Sequence, residues 1–169
     1  TWVYNGGATA LIARLIEKGA GMPLDQFAAE ALFAPLGITQ FEWHHGRHDA
    51  PAAASGLRLS VRSLVTIGLM LKAKGMHGDK RIVSEDWIAA SKVPNAQTPF
   101  GVRYGYFWWL TPGDQAPRWM AGFGNGGQRL TVNHPDDLIL VIFGGRYNEL
   151  DNWKLPVKVI EDFLLPVLL

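Results

Sequence analysis

The period of the apolar positions changes once along the chain, and that change divides it. Ala8, Leu11, Ile12, Leu15 and Ile16 recur at helical spacing, and Gly19 with Gly21 supplies a stop. Pro23 fits the first turn of a second helix, with Leu24, Phe27, Ala28, Ala31 and Leu32 on its buried face and Pro35-Leu36-Gly37 at its end. Residues 39–54 hold no sustained period and read as a surface excursion. Ser60 is placed to cap a third helix carrying Leu64, Ile67, Gly68 and Leu71, which Gly75 closes. Ser84 caps a shorter fourth helix, with Glu85 and Asp86 in the first turn where the helix dipole favours carboxylates.

After a proline- and glycine-containing loop at 93–102, the pattern becomes that of strands. Residues 104–110 predict one aromatic strand, too apolar on both faces to be half solvated. Arg129 to Val132 and Leu138 to Phe143 flank a polar turn, Pro135-Asp136-Asp137, and predict a β-hairpin. A last amphipathic helix from about Asn152 carries Trp153, Val157, Ile160 and Leu164, with Trp153, Ile160 and Leu164 on the face that covers the sheet. Helices first, strands second and one helix last argue for an α+β arrangement with an antiparallel sheet. The helical region takes residues 1–95 and the strands with the final helix take 96–169.

Just before the hairpin stands Gly122-Phe123-Gly124-Asn125-Gly126-Gly127-Gln128. Glycine weakens a strand and is kept where something approaches the backbone closely. The segment reads as backbone along which a ligand lies; a glycine bulge that re-aims the strand is the rival reading.

Composition narrows the function classes. In 169 residues, 48% apolar with seven tryptophans, disorder is excluded and there is enough chain for one domain or part of a larger one. A net charge of +1 gives no basis for binding nucleic acid or an anionic membrane surface. Without cysteine there is no disulfide framework, zinc–thiolate site or cysteine nucleophile. No apolar stretch reaches the length of a membrane span. The start at Thr1, running straight into Trp2-Val3-Tyr4, suggests a piece of a longer chain, and the compartment is left open.

Tyr4 precedes Asn5-Gly6-Gly7 at a predicted helix start. One reading is a core aromatic before a glycine turn. The other is a phenol at a helix N-terminus, where the dipole and nearby cations favour phenolate over its usual pKa of ~10 and let it carry a proton as base and then acid.

Taken in order, Tyr4-Asn5-Gly6-Gly7-Ala8-Thr9-Ala10-Leu11, Ala34-Pro35-Leu36-Gly37-Ile38-Thr39, Trp43, Ser55-Gly56-Leu57-Arg58-Leu59-Ser60, Trp87, Tyr104-Gly105-Tyr106-Phe107-Trp108-Trp109 and Gly126-Gly127-Gln128 form a series. It resembles the serine β-lactamase and penicillin-binding-protein-like hydrolases, in their class C β-lactamase and carboxylesterase branch. The resemblance covers essentially the whole chain and implies the C-terminal portion of a β-lactamase-like fold.

The family performs acyl transfer with a serine in Ser-x-x-Lys, a tyrosine in Tyr-x-Asn and a Lys-Thr-Gly-like strand. By that resemblance Tyr4 is the general base and acid. The Asn position falls on Gly6, with Asn5 beside it, and Gly122-Phe123-Gly124 falls on the Lys-Thr-Gly strand. The lysine that grips a β-lactam carboxylate is thus absent, which favours an ester or small amide over a penicillin. Asn125 would supply a backbone N–H to the oxyanion hole. Asn5, Gly122, Phe123, Gly124 and Trp108 would contact substrate. No cofactor is implied.

The serines of this chain are Ser55, Ser60, Ser63, Ser84 and Ser91, followed three residues on by Arg58, Ser63, Thr66, Trp87 and Pro94, so none begins Ser-x-x-Lys. The resemblance places that motif upstream. It implies a chain inactive by itself, with an uncovered apolar face and a free sheet edge, which pairs with its own N-terminal portion or self-associates. A non-catalytic penicillin-binding-like module that keeps a ligand cleft is the alternative, and a self-standing interaction domain is a third reading.

The remaining polar candidates carry less. His44, His45 and His48 with Asp49 have the residue types of a metal site but read as a solvated loop. His77 and His134 fall in turns, Trp108 and Trp109 suit a cleft or a core, and Arg58 and Arg129 suit an anionic substrate or the surface. Asp25, Glu30 and Glu42 form no carboxylate dyad pattern.

Overall fold

In a computed structural model that describes residues 2–46, 49–113 and 115–168, helix α1 (Gly6–Ala20) begins where Asn5 folds over its first turn. The Asn5 side-chain oxygen accepts from the N–H of Gly7 at 2.8 Å and of Ala8 at 3.3 Å, a cap that stabilises by about 1 kcal/mol. The chain divides into two units, Thr1–Ser84 and Glu85–Leu169.

In the first unit, α1 buries Ala13 while Leu11 and Leu15 stand 70% and 68% exposed, so its apolar stripe is largely uncovered. Helix α2 (Leu24–Ala28) runs into a π-helical turn, Ala29–Phe33. That wider turn moves the inward position along by one residue. Phe33 is therefore buried beside Leu36 and Ile38, and its ring meets Phe41 at 4.7 Å, whereas Ala31, expected inside, is exposed.

The segment at 39–54 is pinned at its base by a short antiparallel ladder, β1 (Glu42–Trp43) with β2 (Leu57–Arg58). The Trp43 indole N–H donates across it to the carbonyls of Ala52 and Ser55. Ser60 accepts from the Ser63 N–H at 3.0 Å and caps α3 (Val61–Lys72). A small hairpin, β3 (Met76–His77) and β4 (Lys80–Arg81), follows a glycine that admits no Cβ: one at Gly75 would strike the Val83 carbonyl.

The second unit opens with α4 (Glu85–Ser91) and continues as an antiparallel meander. Its strands are β5 (Ala96–Gln97), β6 (Arg103–Gly105), β7 (Trp108–Leu110), β8 (Trp119–Gly124), β9 (Gln128–Asn133) and β10 (Leu138–Ile142), each paired with its chain neighbour. The expected hairpin forms as β9–β10. The single aromatic strand does not: residues 104–110 are two strands joined by Tyr106 and Phe107, both at positive φ (42° and 69°). Two central residues at positive φ give the turn whose twist matches a hairpin. Part of the compensation for placing aromatics there is the Tyr106 ring stacking on Trp87, 5.2 Å away and 19° from parallel. The expected loop at 93–102 contributes β5 to the sheet edge.

Register sorts the sheet into two faces. Leu110, Met120 and Val132 lie in one cross-strand row, each at most 1% exposed, with Leu130 beside them. The opposite face carries Tyr104, Trp109, Ala121, Phe123, Arg129 and Thr131. The sheet ends at β10, five apolar residues in succession. Beyond it come α5 (Lys154–Val159), a π-helical turn at Ile160–Leu164 and α6 (Leu165–Leu168). Among the described residues of α5 Pro156 is buried, while Trp153, expected against the sheet, is 55% exposed.

Candidate functional site

Each unit carries part of the expected chemistry. In the first, Tyr4 stands one residue before the cap of α1, 59% exposed, its ring 6.2 Å from that of Trp2. The N-terminus of a fifteen-residue helix adjoins it, and no acidic residue occupies the first turn. The positive end of the helix dipole is therefore not offset by a neighbouring carboxylate in that turn. Asn5, expected to touch substrate, has its carbonyl committed to the cap. Gly6 has little room for a side chain, since a Cβ there would lie 3.3 Å from that of Ala54.

In the second unit the glycine segment is the end of β8 and the turn into β9. Pleating separates its residues. Gly122 shares a face with Trp108, whose ring would lie 3.9 Å from a Cβ at Gly122. Phe123 points to the other face, stacked on Trp109 at 5.5 Å with the Arg129 guanidinium 4.4 Å above its ring. Burial lowers the Arg129 pKa from its usual value, and the aromatic face offers the guanidinium a cation–π contact in place of a carboxylate. The structure thus brings Gly122 and Trp108 together and sends Phe123 away from them.

Gly124 and Asn125 are exposed, and Gly126 and Gly127 are buried with φ of 88° and 89°. A Cβ at Gly126 would lie 2.8 Å from the Tyr147 ring, and one at Gly127 2.8 Å from the Asn152 carbonyl. Here glycine is required twice over, by backbone conformation and by close approach. All hydrogen bonds of Asn125 among the described residues run through its side chain, so its backbone N–H is uncommitted at the exposed apex of the turn. A backbone N–H without a partner in the protein can donate to developing negative charge.

Three residues hold this turn through side-chain bonds that the sequence did not indicate; Gln128 stands in the motif itself, while Asn148 and Asn152 carry no signal of their own. Gln128 pairs its side chain with the backbone of Gly144, donating from Nε2 to the carbonyl at 2.6 Å and accepting the N–H at Oε1 at 3.3 Å. Asn148 and Asn152 bond the Asn125 side chain from more than twenty residues away. Sequence spacing cannot reveal partners that only a folded return brings into register.

In the histidine loop one imidazole is held between two carboxylates. His45 Nδ1 lies 3.0 Å from Asp49 Oδ1 and its Nε2 3.1 Å from Asp25 Oδ2. Bonds to Asp49 and then Asp25 raise its pKa above the ordinary 6.5. His44 and His45 line an open hollow with Glu42, Trp43 and Arg58, and the Arg58 guanidinium is engaged by Glu42 at 3.0 Å. His48 lies outside the described residues. Among those described, no three metal-binding side chains converge, and no helix is long and apolar enough to cross a membrane.

Comparison with known proteins agrees with this architecture. The sequence model of the family described as Beta-lactamase matches residues 1–151, and the chain belongs to that family. Its fold is the β-lactamase-like fold of helices with an antiparallel sheet. A protein assigned provisionally as a 6-aminohexanoate-dimer hydrolase, from Bacillus anthracis, superposes with a TM-score of 0.81 at 19% identity, over 96% of this chain and 43% of that one. A β-lactamase from Mycobacterium bovis gives 0.72 at 20% identity, over 96% and 65%. A penicillin binding protein from Bacillus halodurans gives 0.75 at 12% identity, over 95% and 56%. The chain therefore spans between 43% and 65% of the length of these structures. No curated protein matches it.

Proposed function

We propose that this chain is the C-terminal part of a serine hydrolase that transfers the acyl group of an ester or small amide. Tyr4 acts as general base toward the attacking hydroxyl and then as acid toward the leaving group. The Asn125 N–H is one donor of the oxyanion hole. Gly122, Gly124 and Trp108 border the acyl group, and Asn5 lies beside the base. The single observation that carries this reading is that the backbone N–H of Asn125, an exposed residue, has no hydrogen-bond partner among the described residues, in an otherwise tightly held glycine turn. Gly122 in the place of a lysine favours an uncharged acyl group over a β-lactam carboxylate.

The nucleophile belongs to a Ser-x-x-Lys motif outside these residues, so the chain alone is inactive and acts with an N-terminal portion of the same protein. The uncovered Leu11 and Leu15 of α1 and the apolar edge strand β10 support such a complement or self-association. The positions where Gly6 and Gly122 replace the family's amide and cation support a second reading, a ligand-binding module without turnover.

Steady-state hydrolysis of a short-chain p-nitrophenyl ester by the longer protein separates the two. Loss of a positioned proton carrier lowers rates by about 10²–10⁴-fold. Tyr4→Phe is expected to fall in that range, and unchanged turnover in that variant would remove Tyr4 from the mechanism. A longer sequence without Ser-x-x-Lys would favour the binding module.

A further inference from the structure

The acyl-transfer reading uses the backbone of Asn125 and leaves its side chain unexplained. Three hydrogen bonds hold that side chain. Its Oδ1 accepts from the Asn148 backbone N–H at 2.9 Å and from Asn152 Nδ2 at 3.1 Å. Its Nδ2 donates to Asn148 Oδ1 at 2.8 Å. Asn125 and Asn148 thus close a two-point clasp across 23 residues.

The same return segment meets every other residue of the turn. The Arg146 N–H donates to the Gly126 carbonyl at 3.3 Å, and the Tyr147 ring covers Gly126. Gly127 lies against the Asn152 carbonyl and Pro156, and Gln128 is bonded to Gly144. The segment is itself stiffened, because Arg146 pairs with both Glu149 and Asp151. Asn148 sits at φ 62°, a left-handed conformation that asparagine tolerates better than most side chains.

We propose that Asn148 is a positioning residue for the oxyanion-hole donor: its clasp with the Asn125 side chain fixes the direction in which the Asn125 N–H points. The inference rests on the acyl-transfer reading for what that N–H does. The clasp lets a solvent-exposed turn hold a donor in place before charge develops, which is the condition under which such donors act most strongly.

Two substitutions isolate the clasp. Asn148→Gly keeps the left-handed backbone and the backbone N–H but removes the Oδ1 acceptor. Asn148→Asp keeps an oxygen acceptor at the same place. Amide hydrogen exchange at residues 146 and 148, read by NMR on the longer protein in the absence of substrate, is expected to rise about fivefold in Asn148→Gly, the size of one lost neutral hydrogen bond. It is expected to stay within twofold of the unsubstituted chain in Asn148→Asp. In the longer protein, kcat for the ester should fall about fivefold or more in Asn148→Gly with KM unchanged, and Asn148→Asp should restore it. Unchanged exchange in Asn148→Gly overturns the clasp. Faster exchange with unchanged kcat overturns its positioning role. If the unsubstituted protein forms no acyl product, the acyl-transfer reading fails, and the exchange measurement still decides for or against the clasp.

Discussion

Replacing Gly144 with alanine tests how tightly the glycine turn is held. A Cβ at this position would drive into the Gly126 carbonyl and lie 3.3 Å from Gly127 Cα, both backbone atoms that cannot swing aside. One strand or the other must retreat. The bonds at stake are the two between Gln128 and Gly144 and the one from Arg146 to Gly126. At about 1 kcal/mol each, losing two or three gives a destabilisation of about 2–3 kcal/mol, within the range for overpacking a tight site. The adjacent Gly145 is an internal control, because a Cβ there meets nothing within 4 Å. Gly145→Ala should change stability by less than ~0.5 kcal/mol. Urea denaturation followed by tryptophan fluorescence measures both variants; at an ordinary slope of about 1–3 kcal/mol/M, Gly144→Ala should lower the midpoint by about 0.7–3 M. Equal midpoints for the two variants would refute the claim that the turn and the return segment are in rigid contact.

Three further outcomes follow from the same structure. His45, bracketed by Asp49 and Asp25, titrates above 6.5, so the clasp it makes is intact below the ordinary histidine range and is lost as pH rises through the elevated value. NMR titration of the imidazole should show this, and Asp25→Asn should bring the midpoint back toward 6.5; a midpoint that does not move excludes Asp25 as a partner. Leu110→Ala, at a position with no exposed surface, should cost about 2–5 kcal/mol in the same denaturation assay, and a loss under 1 kcal/mol would contradict its place in the sheet core. Glu42→Gln should cost no more than ~0.5 kcal/mol, because the side chains of Glu42 and Arg58 are 75% and 78% exposed and water screens the pair.

The helices and the β9–β10 hairpin were legible because local rules determine them. Asn5, Ser60 and the glycines around 21 and 75 act at or beside helix ends, and the polar Pro135-Asp136-Asp137 turn separates two apolar runs. The aromatic hairpin was not legible. Tyr106 and Phe107 adopt positive φ without the glycine or asparagine that normally signals such a turn, and the ring stacking that helps hold them comes from Trp87, outside the strand. The π-helical turn at Ala29–Phe33 was hidden for a related reason: one extra residue per turn leaves the apolar composition unchanged and alters only which residue faces in. For the candidate site, the glycine run reads as backbone along which a ligand lies, whereas the close approach seen in the structure is made by the chain's own Tyr147, Asn152 and Pro156. The partners of Asn125 could not be read, since neither Asn148 nor Asn152 stands in a periodic relation to it.

The proposed acyl transfer requires a nucleophilic serine outside these residues and a proton carrier at Tyr4. Mass spectrometry of the longer protein quenched during the first turnovers of a short-chain ester tests it, with intact mass reporting the adduct and peptide mapping its position. An acyl adduct is expected on the serine of a Ser-x-x-Lys motif, with none on Ser55, Ser60, Ser63, Ser84 or Ser91, and its formation should slow by about 10²-fold or more in Tyr4→Phe. An adduct on one of those five serines, or an unchanged rate of formation in Tyr4→Phe, would contradict it.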